Sequence, residues 1–215
     1  MDNIIHKKFK AENGNIISIV YDNNAENPFT EWDSENSIQF FFLHKNYTLS
    51  KEGYNFSDYS DMIRRMAKQL LPTSVLNWKW IEEGLYYGFN DEENEKLLNL
   101  MDRYAYVLPV YMYDHSGITI RTTPFSCGWD SGKVGYVAMT KREAKANKFK
   151  KQQSYDYLIE TIKSIDNYIT GEVFGFYVED SEEVIDSCFG FYGDNFEENG
   201  LFDYLEYKKE ELTEI

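Results

Sequence analysis

VLPVYMYDHSGITIRTTPFSCGWDSGKVGYVAMT, Val107 to Thr140, decides how this chain is read. Its ends, Val107–Asp114 and Lys133–Thr140, are rich in the β-branched and aromatic residues that suit pleated, half-buried strands. His115-Ser116-Gly117 supplies turn residues, Ile118–Thr123 a short extended run, and Phe125–Gly132 an irregular loop with glycines at both Gly128 and Gly132. The pattern predicts a three-stranded antiparallel meander.

On the C-terminal side, Thr140 with Glu143 forms a capping box. It predicts one long helix at about 140–170, with a buried stripe of Tyr155, Leu158, Ile159, Ile162, Ile165 and Ile169 and an end at Gly171. EVFGFYVED and EVIDSCFGFYGD then read as a hairpin turning near Ser181, and Leu201, Tyr204, Leu205 and Leu212 as an amphipathic terminal helix. On the N-terminal side, Asn3–Asp22 reads as two strands around the turn Glu12-Asn13-Gly14-Asn15. A loop of Asn, Pro and acids follows, and Ser37–His44 (SIQFFFLH) is apolar enough for an inner strand. Ser57 is the expected cap of a helix burying Tyr59, Met62, Ile63, Met66 and Leu70 until Pro72 stops it. A short Trp-bearing helix through Val75, Leu76 and Trp80 comes next, then one after Asn90 with Leu97, Leu100, Met101 and Tyr104 on one face. The expected fold is α+β: a mainly antiparallel sheet covered by helices. No linker or repeat interrupts it, so one domain over 1–215 is expected. Within it lie N-terminal strands and helices (1–105), a meander, long helix and hairpin (106–193), and an acidic C-terminal segment (194–215).

The 215 residues hold 37 acids and 22 bases, a formal charge of −15. Fourteen of those acids and only two lysines lie between Glu172 and Ile215, which makes that stretch −12 and leaves −3 for the rest. Such a surface repels phosphate backbones and attracts basic proteins. Glu179, Asp180, Glu182, Glu183, Asp186, Asp194, Glu197, Glu198, Asp203 and Glu206 are interleaved with Tyr177, Tyr192, Phe196, Phe202 and Tyr204. They are the expected partner-binding residues, carboxylates for steering and aromatics for anchoring. The basic run from Lys141 to Lys151 reads as a solvated helix face or a partner for those acids.

Cys127 and Cys188 match no metal or disulfide spacing, and the opening residues and hydropathy hold neither a signal sequence nor a membrane span. A cytoplasmic protein with no membrane partner is the expectation. His6, His44 and His115 are scattered without a metal-binding spacing, Asp180, Glu182 and Glu183 lack an EF-hand pattern, and Gly128–Gly135 is not a phosphate-binding loop. No cofactor and no metal are expected. The densest chemistry is Cys127 with His115 and Asp130 (or Asp114), a nucleophile, a base and an orienting carboxylate. Against it, a strand of Ile118–Thr123 would hold turn and loop roughly 20 Å apart. In the alternative reading, the glycines serve turns while Cys127 and Trp129 fill core.

At YMYDHSGITIRTTPFSCGWDSGKVGYV (Tyr111–Val137), TGEVFGFYVED (Thr170–Asp180) and DSCFGFYGD (Asp186–Asp194), the chain resembles a family of small uncharacterised proteins encoded by phages, plasmids and conjugative elements of Gram-positive bacteria. The likeness covers roughly Tyr106 to Gly193. It implies a mobile-element setting, where small acidic proteins often disarm restriction or CRISPR nucleases. The function expected is therefore a non-enzymatic anti-defence inhibitor that binds a basic host protein or nucleoprotein complex in place of nucleic acid. The alternatives are a cysteine-dependent hydrolase or transferase using Cys127, and a structural or regulatory phage protein.

Overall fold

The computed structural model describes residues 4–29, 37–47, 49, 56–181 and 183–215. The fold is α+β with antiparallel sheets. In chain order the strands are β1 (Ile5–Ala11), β2 (Ile16–Tyr21), β3 (Ile38–Phe42), β4 (Ala105–Asp114), β5 (Ile118–Arg121), β6 (Ser131–Thr140), β7 (Val173–Glu179), β8 (Val184–Tyr192) and β9 (Leu212–Glu214). The helices are α1 (Tyr59–Leu70), α2 (Thr73–Leu76), α3 (Lys79–Tyr87), α4 (Asp91–Met101), α5 (Lys141–Ala146), α6 (Lys151–Thr170) and α7 (Leu201–Tyr204). The chain divides into two compact units, Met1–Glu31 with Ser164–Ile215, and Trp32–Lys163, the division falling inside α6.

The unit that joins both chain ends is built on a five-stranded sheet in the order β8-β7-β2-β1-β9. The hairpin β1–β2 forms around the expected turn, with Phe9 opposite Ile17. Alternation then sends Phe9, Ala11, Ile17, Ile19, Phe174, Phe176 and Val178 into one core, which Phe191, Phe196, Leu201 and Leu205 complete. The expected terminal helix is absent. Leu201–Tyr204 is a single helical turn, Lys209–Glu211 a 3-10 turn, and Leu212–Glu214 an edge strand on β1. Leu201 and Leu205 satisfy their apolar demand from an irregular covering segment, and four residues of helical spacing cannot nucleate a longer helix.

The other unit holds a four-stranded sheet in the order β3-β6-β4-β5. One face packs Phe41, Ala105, Tyr136 and Ala138 beneath Met62, Ile63, Met66, Ala67 and Leu70 of α1, Ile81 of α3, and Leu97, Leu100 and Met101 of α4. The order corrects two expectations. β6 pairs with β4, not β5, so the three strands are no meander, and β3 is the end strand of the described sheet while β6 is inner. Seven consecutive buried residues at the C-terminal end of β6 accord with that place. Pro109 lies in β4 where only β6 flanks it, since β5 ends at Arg121 opposite Tyr111; a missing N–H is tolerated there. Gly135 has no room for a side chain, because a Cβ would stand 1.9 Å from the Phe41 carbonyl oxygen of β3.

Capping differs from expectation at α1 and agrees at α5. Asp58, not Ser57, caps α1: its carboxylate accepts from Asp61 N at 2.8 Å, while Ser57 Oγ donates to that carboxylate. The backbone hydrogen bond from Asp61 is the largest reason the Asp58 carboxyl titrates below its usual range. Asn90 with Glu93, and Thr140 with Glu143, form full capping boxes. The long helix expected from Thr140 is broken in two. Lys148 takes a left-handed conformation (φ 60°), its N–H bonds Lys145 O, and Phe149 N–H bonds Ala144 O, the closure that ends a helix, here without glycine. In α6, Leu158, Ile162 and Ile165 are buried as expected, but Ile159 is exposed and Ser154 and Asn167 are buried instead.

Candidate functional site

Two places gather chemistry, one in each unit. The first lies where β4, β5 and β6 meet. β4 ends at Asp114, the turn closes through His115 N–H to Gly117 O, and β5 runs back. Because β6 must then pair with β4 on its other side, residues 122–130 return to the end of β4 where the turn sits. Arg121 steers that return, donating to the carbonyls of Thr123 and Pro124 and lying 3.9 Å from the centre of the Phe125 ring. Phe125, Tyr113 and His115 then form a ladder of stacked rings, with centroids 5.7 and 6.0 Å apart.

The loop therefore arrives beside the turn. Asp114 N–H donates to Asp130 O at 2.8 Å, and His115 Nδ1 stands 3.2 Å from Asp130 Oδ2. The 20 Å separation expected between turn and loop does not occur for these two residues. Asp130 holds the imidazole so that, with a proton on Nδ1, Nε2 is free to accept one, the arrangement of a base and its orienting carboxylate. Cys127 does not join them. Its carbonyl accepts from Ser131 Oγ, and among the described residues its thiol makes no hydrogen bond to His115 or Asp130. Trp129, read in one alternative as core, is 98% exposed.

An open cleft of about 440 Å³ adjoins the pair, lined among others by His44, Asp114, Trp129, Asp130 and Lys133. Tyr47 stacks on His44 at 5.0 Å and donates to Asp114 Oδ1 at 3.3 Å. Burial first, and the Asp114 charge second, push the Tyr47 hydroxyl above its ordinary range. Lys133 continues into a hydroxyl cluster that the sequence reading missed. Its ammonium donates to Tyr136 OH at 2.8 Å and Tyr59 OH at 3.2 Å, and the two hydroxyls lie 2.6 Å apart. Burial is the main reason Tyr136 is pushed up to about 12. Burial also pulls Lys133 down, but the hydrogen bonds to Tyr136 and Tyr59 outweigh it and its net shift is upward. Strict alternation would put Lys133 and Tyr136 on opposite faces of a strand. The register jump in which Val110 faces Gly135 but Tyr111 faces Lys133 inserts Val134 and brings both to one side. A bulge of that kind leaves no signature in a single sequence.

The second place is the acidic surface. The unit of 1–31 and 164–215 contains 20 acids and 5 bases, so its formal charge is −15; the unit of 32–163 contains 17 of each and is neutral. The entire net charge thus belongs to one unit. Glu179 ends β7 half-buried, Asp180 and Glu183 form the exposed hairpin tip, and Asp186 is exposed on β8. Glu182 lies outside the described residues. Asp194, Glu197, Glu198, Asp203 and Glu206 stand exposed on the segment whose Phe196, Leu201 and Leu205 enter the core. Glu197 pairs with Lys209, while Asp180 and Asp186 accept from the nearby backbone N–H groups of Glu183 and Ser187. Of the proposed aromatic anchors, Tyr204 is 67% exposed, Tyr177, Tyr192 and Phe202 are half-buried, and Phe196 is core.

Among the described residues no group of three or more His, Cys, Asp and Glu side chains could hold a metal ion, and no helix is long and apolar enough to cross a membrane. Comparison with family models, with curated proteins and with solved structures finds no match in any of the three.

Proposed function

We propose that the acidic unit binds the basic, nucleic-acid-binding surface of a host complex and so acts as a mobile-element inhibitor of a restriction or CRISPR nuclease. The observation that carries this is the segregation of charge: all −15 falls on one unit while the other is neutral. A charge so placed gives a directional field that steers association with a basic groove, which a uniformly acidic surface would do less selectively. Carboxylates on the hairpin tip and on the covering segment would stand where phosphates otherwise lie. Short-range contact from Tyr204 and its neighbours would hold what the field brings in.

The test is plasmid establishment in bacterial hosts carrying defined restriction or CRISPR systems, with the chain expressed in the recipient. Protection in at least one system is expected, lost when Asp180→Asn, Glu183→Gln, Asp186→Asn and Glu198→Gln are combined. The cognate purified nuclease should be displaced from DNA by the chain, and this displacement should weaken steeply from ~50 to ~300 mM salt. Protection that survives the combined substitution would sink the reading, as would an absence of protection in every system.

A further inference from the structure

We propose that β8 is a docking edge that takes a basic, extended segment of a partner protein as a sixth strand on the five-stranded sheet. The inference rests on the acidic-unit reading above and names the element through which that unit would engage. Among the described residues β8 is the last strand of its sheet, paired with β7 on one side only. Its outward N–H and C=O groups form a template for another strand, in which the Ser187 N–H now held by Asp186 Oδ1 would have to change partner. Folded proteins usually guard such an edge with charged side chains, proline, bulges or a cover; VIDSCFGFY contains neither lysine nor proline, its one charge is the anionic Asp186, and its bulges lie outside the Asp186–Phe189 stretch. It exposes large apolar side chains instead: Val184 at 50%, Ile185 at 49% and Phe189 at 37%.

The edge is held in shape. Register jumps at Phe174/Gly175 and Val178/Glu179 bracket a regular stretch in which Asp186–Phe189 faces Val178–Gly175. The Phe189 ring lies over Gly175, where a Cβ would approach it to 2.2 Å, and meets Tyr177 edge-on at 5.3 Å. A short, preformed strand with apolar knobs at both ends suits β-strand addition, in which backbone bonds supply affinity and alternate side chains supply selectivity. Charge chooses the occupant. A second copy would bring one −15 unit against another, with Asp186 and Glu183 facing their own kind. A strand that alternates lysine or arginine with β-branched residues would meet those carboxylates with cations and Ile185 and Phe189 with apolar side chains.

The experiment uses the full chain and a synthetic nine-residue peptide alternating lysine with valine and threonine. Its counterpart carries N-methyl groups on alternate residues, which keep charge and side chains but cannot pair as a strand. The expected result at ~50 mM salt is binding of the first peptide, slowed amide exchange confined to 185–189, and affinity at least about tenfold lower for the N-methylated peptide. Val184→Ser with Ile185→Ser, at exposed positions that the fold does not need, should weaken the first peptide and not the second. Equal binding of both peptides without exchange protection in β8 overturns strand addition but leaves the acidic-unit reading standing. No binding of either overturns both. A dimer whose protected amides fall on β8 overturns the basic partner in favour of a second copy.

Discussion

Tyr136 shows how much a single side chain depends on where the backbone sends it. Its hydroxyl is buried beside Tyr59 and Lys133, and burial pushes its titration from 10.0 up to about 12. The folded state therefore holds a proton that the unfolded chain releases earlier. Stability from this group is fully present below pH 10 and is lost as pH rises towards 12. Lys133, also shifted upward, contributes in the same direction. Chemical denaturation between pH 9 and 12 should show this alkaline loss. Tyr136→Phe should cost about 1 kcal/mol at neutral pH, through the lost hydrogen bonds, and flatten the alkaline decline. An unchanged decline in the variant would place its origin elsewhere.

At the scale of elements, the division of α5 from α6 is the most instructive feature. Thr140 and Glu143 start a helix as their pattern dictates, and nothing like Gly or Pro marks where it stops. Lys148 closes it at φ 60°, a conformation that costs an L residue roughly 1 kcal/mol or more. Lys148→Gly should remove that strain. Allowing for glycine's greater freedom when unfolded, the gain is about 0.5 kcal/mol, seen as a Tm rise of roughly 1–2 °C. Lys148→Ala removes the same charge without relieving the strain and should not reproduce the gain, a comparison that separates backbone from electrostatics. β6 makes the same point for sheets. Its continuous apolar run suited an inner strand, but which neighbours it would take depended on β4 and β3 together.

At the scale of the whole molecule, charge and fold are unevenly distributed: one unit has −15 and the other none. Self-repulsion should make the acidic unit the more salt-sensitive of the two. Native-state hydrogen exchange should therefore slow at Ile17–Val20 and Phe174–Val178 when salt rises from ~10 to ~300 mM, by about tenfold. Amides of Val137–Met139, in the neutral unit, should change much less. Parallel changes in both sets would mean that the charge does not act locally. The same segregation underlies the proposed inhibitor role.

Local signals alone determined most of the elements. The turn at Glu12–Asn15, the stripes of α1 and α4, the box at Thr140 and the hairpin near Ser181 rest on neighbours within a few residues, where propensity and periodicity act. The concentration of acids after Glu172 was equally plain, being composition. Only the tertiary structure decided the strand order β3-β6-β4-β5, the meeting of His115 with Asp130, the Lys133–Tyr136–Tyr59 cluster and the edge strand made of Leu212–Glu214. Each of these is a choice among partners distant in sequence. Such a choice is settled by how whole faces bury one another and by single-residue shifts of register, neither of which a linear pattern contains.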